Sequence, residues 1–491
     1  MQSAPAQTSL RKTLRPEWVF AMTLGSAIGW GAFILPFDWL ESSGFGGVLI
    51  GFLLGGAMIS IVGYCYGTVI RALPVTGGGV AFALASLGRV HAFIAGWCLT
   101  LGYVGIVALN ASAMALLFRT VAPSLMMQLP LYSVAGWQIY LPDVIVSSAF
   151  ILAFALISLN GVEVSGRLQF FACILLLVSV GLLLAIGLFF GISQKRETLP
   201  LIPEGVAPLP AIGLIVAFAP WAYVGFDGVP QLAGEFGFSP RKAMGLLMWG
   251  IGSATLIYVA MTAVTYLAIG NSAESYRDAT IPTFAAINEF IGPLGLVLLI
   301  VAVSMGVLTG LNGFFMASSR VLLTMARARM LPRFFAEVHA ASGSPRPAIV
   351  AVTVICLVTP WFGRESLTWV VDMTSFGITV AYFYTCYCTW KLGRLGMIDG
   401  MQTRHGVSGL KRGFGIAGCV LAVLFMALLV IPGSPGALKT ESMIALGIWI
   451  LIGVGLFAVS AKKLLYAPRS EVESVIFSVK GNEGSESTDM P

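Results

Sequence analysis

Asp227 is the residue in this sequence best placed to do chemistry, because it lies where a carboxylate is costly. It sits in the apolar run "AFAPWAYVGFDGVPQLAGEF". A carboxylate in hydrocarbon costs several kcal/mol unless it is paired, protonated or turned to water. An acid in such a run is therefore a functional-site candidate by default. The plainer alternative is a carboxylate that caps broken helix backbone. Pro220 removes a backbone donor and Gly225 loosens the helix, so this run is expected to break near its middle.

A second interruption lies in "GSAIGWGAFILP", where Gly29, Trp30 and Gly31 fall inside the first apolar stretch. Glycine in a helix interior costs roughly 1 kcal/mol against alanine. Unwinding there exposes backbone N–H and C=O groups in a dry region. Amides at the start of a half-helix hold an anionic group such as a carboxylate. Carbonyls at a half-helix end hold an ammonium, and a zwitterion uses both. The glycine spacing alone fits close helix packing equally well. Two interrupted helices at corresponding places in two halves of a chain point to a midplane binding site in a transporter.

The elements that carry these residues are membrane spans. Of 491 residues, 57% are apolar and 10% charged, with mean hydropathy +0.91. A soluble chain carries about 25% charged residues, so this is an integral membrane protein. A hydrophobic window of roughly 20 residues gives twelve spans: 18–40, 46–70, 93–118, 143–160, 167–191, 211–231, 244–269, 293–322, 347–362, 367–390, 413–431 and 442–465. The runs are continuous and do not alternate, so they are helices and not barrel strands. The first is too long for a signal peptide and is read as a retained span.

The net charge of +6 is a topology signal and does not indicate a nucleic-acid partner. With a cytoplasmic N-terminus, only Arg119, Lys195, Arg196, Arg277, Arg364 and Lys439 of the 28 Lys and Arg fall on the far side. That asymmetry puts both termini in the cytoplasm, and short loops suggest a cytoplasmic (inner or plasma) membrane. Residues 72–92 read as a Gly-rich turn and an interfacial helix. Residues 468–491 read as a polar, disordered tail. The seven cysteines lie in apolar runs and read as small buried hydrophobes. The three histidines are far apart, so no metal site, catalytic group or cofactor is expected. There is no "GxxxxGK[ST]" phosphate loop, which argues against an ATP-driven pump.

The chain resembles the amino acid–polyamine–organocation superfamily of transporters. "GSAIGWGAFILP" is similar to that family's first-span pattern, and "PVTGGGVAFALASLGRVHAFIAGW" to the stretch after its second span. "NGVEVSGRLQ" looks like the start of the fifth span, "WAYVGFDGVPQLAGEF" the sixth, and "SSRVLLTMARARMLPRFFAEVH" the end of the eighth. The resemblance implies an all-α integral membrane protein of 12 transmembrane helices, a five-plus-five inverted-repeat (LeuT-like) fold with two broken helices. The chain then divides into an N-terminal segment 1–17, repeats 18–191 and 211–390, two further helices in 413–465, and a tail 466–491.

Carried over by position, Gly29, Trp30 and Gly31 meet the substrate carboxylate. Trp221, Ala222, Tyr223 and Gly225 form the sixth-span wall, Thr100 and Phe314 are pocket residues, and Asp227 is linked to gating or proton handling. The departures are Trp30 in place of a small residue, Leu176 where proton-coupled relatives often carry a lysine, and Asn312-Gly313 where sodium-coupled members carry a Ser/Thr pair. The coupling ion, proton or sodium, is left open. The expected function is a secondary transporter or exchanger of a small amino acid, working by alternating access in membrane lipid. The alternative is a polyamine or monoamine carrier with Asp227 pairing the cation. A non-transporting sensor or a membrane enzyme is the remaining class, and no converging His, Asp or Ser cluster supports an enzyme. Substrate identity, direction of transport and oligomeric state are not legible.

Overall fold

Prolines open many of the helices, as expected for a residue whose missing N–H costs nothing in a first turn. A computed structural model describes residues 10–194, 197–363, 365–395, 397–398, 401–402, 408–434 and 436–466. Of the described residues, 80% lie in helices. The helices are α1 (Pro16–Ala27), α2 (Gly31–Ile34), α3 (Pro36–Ala72), α4 (Gly78–Leu87), α5 (Arg89–Val121), α6 (Pro123–Met126), α7 (Leu141–Leu159) and α8 (Val162–Ser193). They continue as α9 (Pro208–Ala222), α10 (Ala243–Ile269), α11 (Pro282–Ile291), α12 (Pro293–Arg327), α13 (Arg346–Val358), α14 (Glu365–Leu395), α15 (Gly409–Val430) and α16 (Thr440–Tyr466). A short antiparallel hairpin, β1 (Pro130–Val134) and β2 (Trp137–Tyr140), links α6 to α7.

Among the described residues, nine helices are long and apolar enough to cross a membrane. The first expected span is not one of them, because its helix stops at Ala27, restarts at Gly31, and turns again at Gly44 inside α3. The ninth expected span is the short α13, 13 residues long, and the tenth lies in α14, which is 31 residues long but not apolar enough to count among the nine. The helix expected at the interface forms as α4, but protein surrounds it: Gly78 to Ser86 are all buried. The tail read from 466 onward lies outside the described residues beyond Tyr466, as do residues 1–9 of the N-terminal segment.

Packing places the broken elements at the centre. The half-helix α1 lies against α8, α10 and α12, while α9 runs along α3. The 3-10 turn that follows α9 returns to touch α1, α3 and α12. Helix α5 is the most enclosed of the long helices, with 78% of its most apolar stretch buried. It therefore forms an inner wall and not a lipid-facing surface.

Candidate functional site

Helix α1 ends at Ala27, and Ile28 leaves the helical region at φ −103° and ψ 86°. Among the described residues, no backbone carbonyl accepts the amides of Gly29, Trp30 or Gly31. These are the unsatisfied donors of a half-helix start. The matching break follows Ala222, where Gly225 takes φ +130° before the 3-10 turn Phe226–Gln231. The carbonyls of Tyr223 and Val224 likewise receive no backbone amide. The two breaks touch. A Cβ on Gly225 would stand 2.5 Å from the Ser26 carbonyl carbon and 2.7 Å from the Ala27 nitrogen, so only glycine fits. The Tyr258 hydroxyl of α10 spans both breaks, 2.7 Å from the Ala222 oxygen and 3.1 Å from the Ala27 oxygen.

A cavity of about 30 Å³ opens between the breaks. Its walls are Ser26, Ala27, Gly29, Trp30 and Gly31 from the first break, Trp221, Ala222 and Val224 from the second, Ile106, Leu109 and Asn110 from α5, and Tyr258. That volume holds about two water molecules. The Trp30 and Trp221 rings meet edge to face, with centroids 5.7 Å apart. Gly31 gives Trp221 its room, since a Cβ there would lie 2.5 Å from the indole. A larger cavity of about 200 Å³ lies elsewhere, among Leu40, Glu41, Phe45, Pro203, Tyr266 and Arg277. The smaller one is the better site, because unpaired backbone groups surround it.

Asp227 is fully buried, and no ion pair reaches it among the described residues. Its Oδ1 accepts the Gly225 N–H at 2.8 Å, and its Oδ2 accepts the Tyr103 hydroxyl at 2.8 Å. The Tyr103 hydroxyl also lies 2.8 Å from the Asp227 backbone oxygen. Gln231 donates to that oxygen (3.1 Å) and to the Tyr103 hydroxyl (3.3 Å), while its own Oε1 accepts the Gly79 N–H. The carboxylate thus caps the second break and ties it to α5. This is the capping role that the sequence offers as the plainer alternative.

The model of the amino acid permease family matches residues 18–457. The chain belongs to this family. The permease is 24% identical over 358 residues to the methylthioribose transporter of Bacillus subtilis (strain 168), covering 70% of this chain and 74% of that one. It is 25% identical over 406 residues to the lysine-specific permease LysP of Escherichia coli (strain K12), covering 76% and 78%. It is 23% identical over 452 residues to the branched-chain amino acid permease BcaP of Lactococcus lactis subsp. cremoris (strain MG1363), covering 89% and 92%. The permease is a membrane transporter of the amino acid–polyamine–organocation superfamily and not an enzyme.

Against this family background, the structure brings Gly29, Trp30, Gly31, Trp221 and Ala222 of the permease to one cavity. The remaining candidates stand behind its walls. The Tyr223 hydroxyl turns to the Phe52 oxygen and to Thr255. Thr100 donates back to the Gly96 oxygen within its own helix. Phe314 packs on Tyr103, centroids 5.6 Å apart. Gly225 and Asp227 shape the break without lining the space.

Two polar clusters of the permease have no counterpart among the sequence candidates. Where α1 meets α8 and α12, Gln169 donates to the Ala21 oxygen (3.2 Å) and Thr309 to the Gly25 oxygen (2.9 Å). Asn312 of α12 donates to the Ser165 oxygen and to Gln169 Oε1, both at 2.8 Å. At the end of the bundle that holds Leu14, Arg320 meets Glu235 through two parallel bonds of 2.8 and 3.0 Å. The Glu235 carbonyl accepts the Leu14 N–H (3.0 Å), and Thr324 donates to the Thr76 oxygen (3.2 Å). These bonds strap the segment after the second break to α12, and the α12 side to the loop before α4. Asn110 and Tyr258 also escape a sequence reading. The available signal for Asn110 is a lone amide in "GIVALNASAMALLF".

Proposed function

We propose that the permease moves a small amino acid by alternating access, with its carboxylate on the amides of Gly29, Trp30 and Gly31. The ammonium then rests on the carbonyl of Val224, just past the end of α9. Facing clusters of unpaired donors and acceptors carry this reading, because a zwitterion satisfies both at once. Trp30 and Trp221 stand edge to face at the cavity and close over the substrate, which enters as they part. In this reading, Asp227 sets the shape of the second break and couples it to α5 when the gate moves.

The wider architecture in this proposal is the 12-helix, five-plus-five inverted repeat, with residues 18–191 and 211–390 as the two halves. Residues 413–465 lie outside the repeat, and both termini face the cytoplasm. The names of two relatives, a lysine permease and a branched-chain amino acid permease, support an amino acid cargo. The polyamine or monoamine alternative needs Asp227 to face the cargo. Its two oxygens are engaged by Gly225 and Tyr103, away from the cavity wall, which favours the amino acid.

Counterflow in proteoliposomes without an ion gradient tests the proposal. Vesicles loaded with pooled amino acids are expected to take up labelled amino acid, and vesicles loaded with pooled amines to take up none. Exchange with amines alone would transfer the cargo role to Asp227.

A further inference from the structure

We propose that Asn110 sets the side-chain specificity of the permease, by requiring an N–H or O–H donor on the substrate side chain. The proposal rests on the amino acid reading above. Asn110 lies on α5, is 2% exposed, and lines the cavity between the breaks. Its amide orientation is fixed by chemistry. The Ile106 carbonyl can only accept, so the atom 3.0 Å from it is Nδ2, a donor. Gly310 of α12 presses on the same amide, since a Cβ there would lie 2.7 Å from Nδ2. Oδ1 is left as a buried acceptor with no partner among the described residues. It faces the first break, 3.8 Å from where a Cβ on Gly29 would stand.

Most buried side-chain acceptors in proteins have a partner, and unlike the other unpaired atoms of the core this one lies on the cavity wall, where a substrate can supply the donor. Leucine fills the same volume, without the unpaired oxygen. The backbone groups of the cavity are already allotted, and Ser26 belongs to the first break, on the carboxylate side. The amides of the first break take a carboxylate and the Val224 carbonyl of the second takes an ammonium. The α5 wall is the third side, and it receives the substituent on the α-carbon. Its other residues, Ile106 and Leu109, are apolar, so Asn110 is the group there that distinguishes a polar side chain from an apolar one. The two tryptophans border the cavity and keep that side chain short. The ligand class is an amino acid with a short hydroxyl or amide side chain.

The test uses threonine and valine, which share a shape and differ in one hydroxyl. Their counterflow is compared in the full-length protein and in Asn110→Leu. Wild type is expected to favour threonine by about tenfold or more, since an unpaired site group rejects the analogue that lacks the donor. Asn110→Leu is expected to bring the ratio near one. A wild-type ratio near one overturns the proposal even if a variant fails to fold. Equal loss of both substrates in Asn110→Leu, from folded protein, also overturns it, and returns Asn110 to a role in the shared ammonium or in packing. A wild type that exchanges no amino acid at all is a separate result, and removes the underlying reading as well.

Discussion

Glu235 holds Arg320 by two parallel bonds, 2.8 and 3.0 Å long, with both side chains 1% exposed. The pair joins the segment after the second break to α12. Removing one partner strands a buried charge, which costs about 3–5 kcal/mol. Glu235→Gln and Arg320→Gln should each lower the melting temperature of purified protein sharply. The double variant Glu235→Gln/Arg320→Gln should recover a substantial part of that loss. Additive losses in the double variant would show that the two side chains do not act as a pair.

The Tyr258 hydroxyl bridges the last carbonyls of α1 and α9. Tyr258→Phe keeps the ring, including its stack on Phe52 at 4.6 Å, and leaves two carbonyls without their donor. A stability loss of about 1–3 kcal/mol is expected. Counterflow should fall more than stability alone explains, because both breaks lose their shared anchor. Wild-type exchange rates in Tyr258→Phe would show that the bridge is dispensable.

The two glycine contacts predict different outcomes. Gly225 meets the backbone of Ser26 and Ala27 at φ +130°, so Gly225→Ala cannot be relieved by a side-chain shift. Gly31 meets the side chains of Trp221 and, less closely, Leu35, which can move. Gly225→Ala should abolish folded protein or transport. Gly31→Ala should weaken transport but leave folded protein. Fluorescence-detected gel filtration separates the folding effect from the transport effect.

Asp227→Asn preserves the acceptor for the Gly225 N–H, and the Tyr103 hydroxyl can still donate to the Asp227 backbone oxygen. Folding should therefore survive, with a melting temperature close to that of the parent. Transport is expected to be lost or to move along the pH axis, as the charge that fixes the break is removed. Unchanged transport at every pH would reduce Asp227 to a passive cap.

The two breaks were legible because glycine and proline act locally, through Gly29, Gly31, Pro220 and Gly225. The helical membrane character was legible because hydropathy is a property of runs. What could not be read was pairing at a distance. Arg320 reads as one more orienting charge until Glu235, 85 positions away, is seen against it. Tyr258 meets Ala27 across 231 positions. Asp227 was visible as an anomaly, but its partners Tyr103 and Gln231 come from another helix and from the next turn. The direction of a side chain was equally hidden, so Thr100, Tyr223 and Phe314, read as pocket residues, do not line the cavity between the breaks.

The central claim is that the open amides of Gly29, Trp30 and Gly31 hold a substrate carboxylate. Competition in counterflow tests it most directly, with an exchanged amino acid set against its own methyl ester. The account predicts that the free acid competes and the ester, which carries no anion, loses most of its affinity. An ester that competes as well as the acid would contradict the account and leave the first break without its assigned ligand.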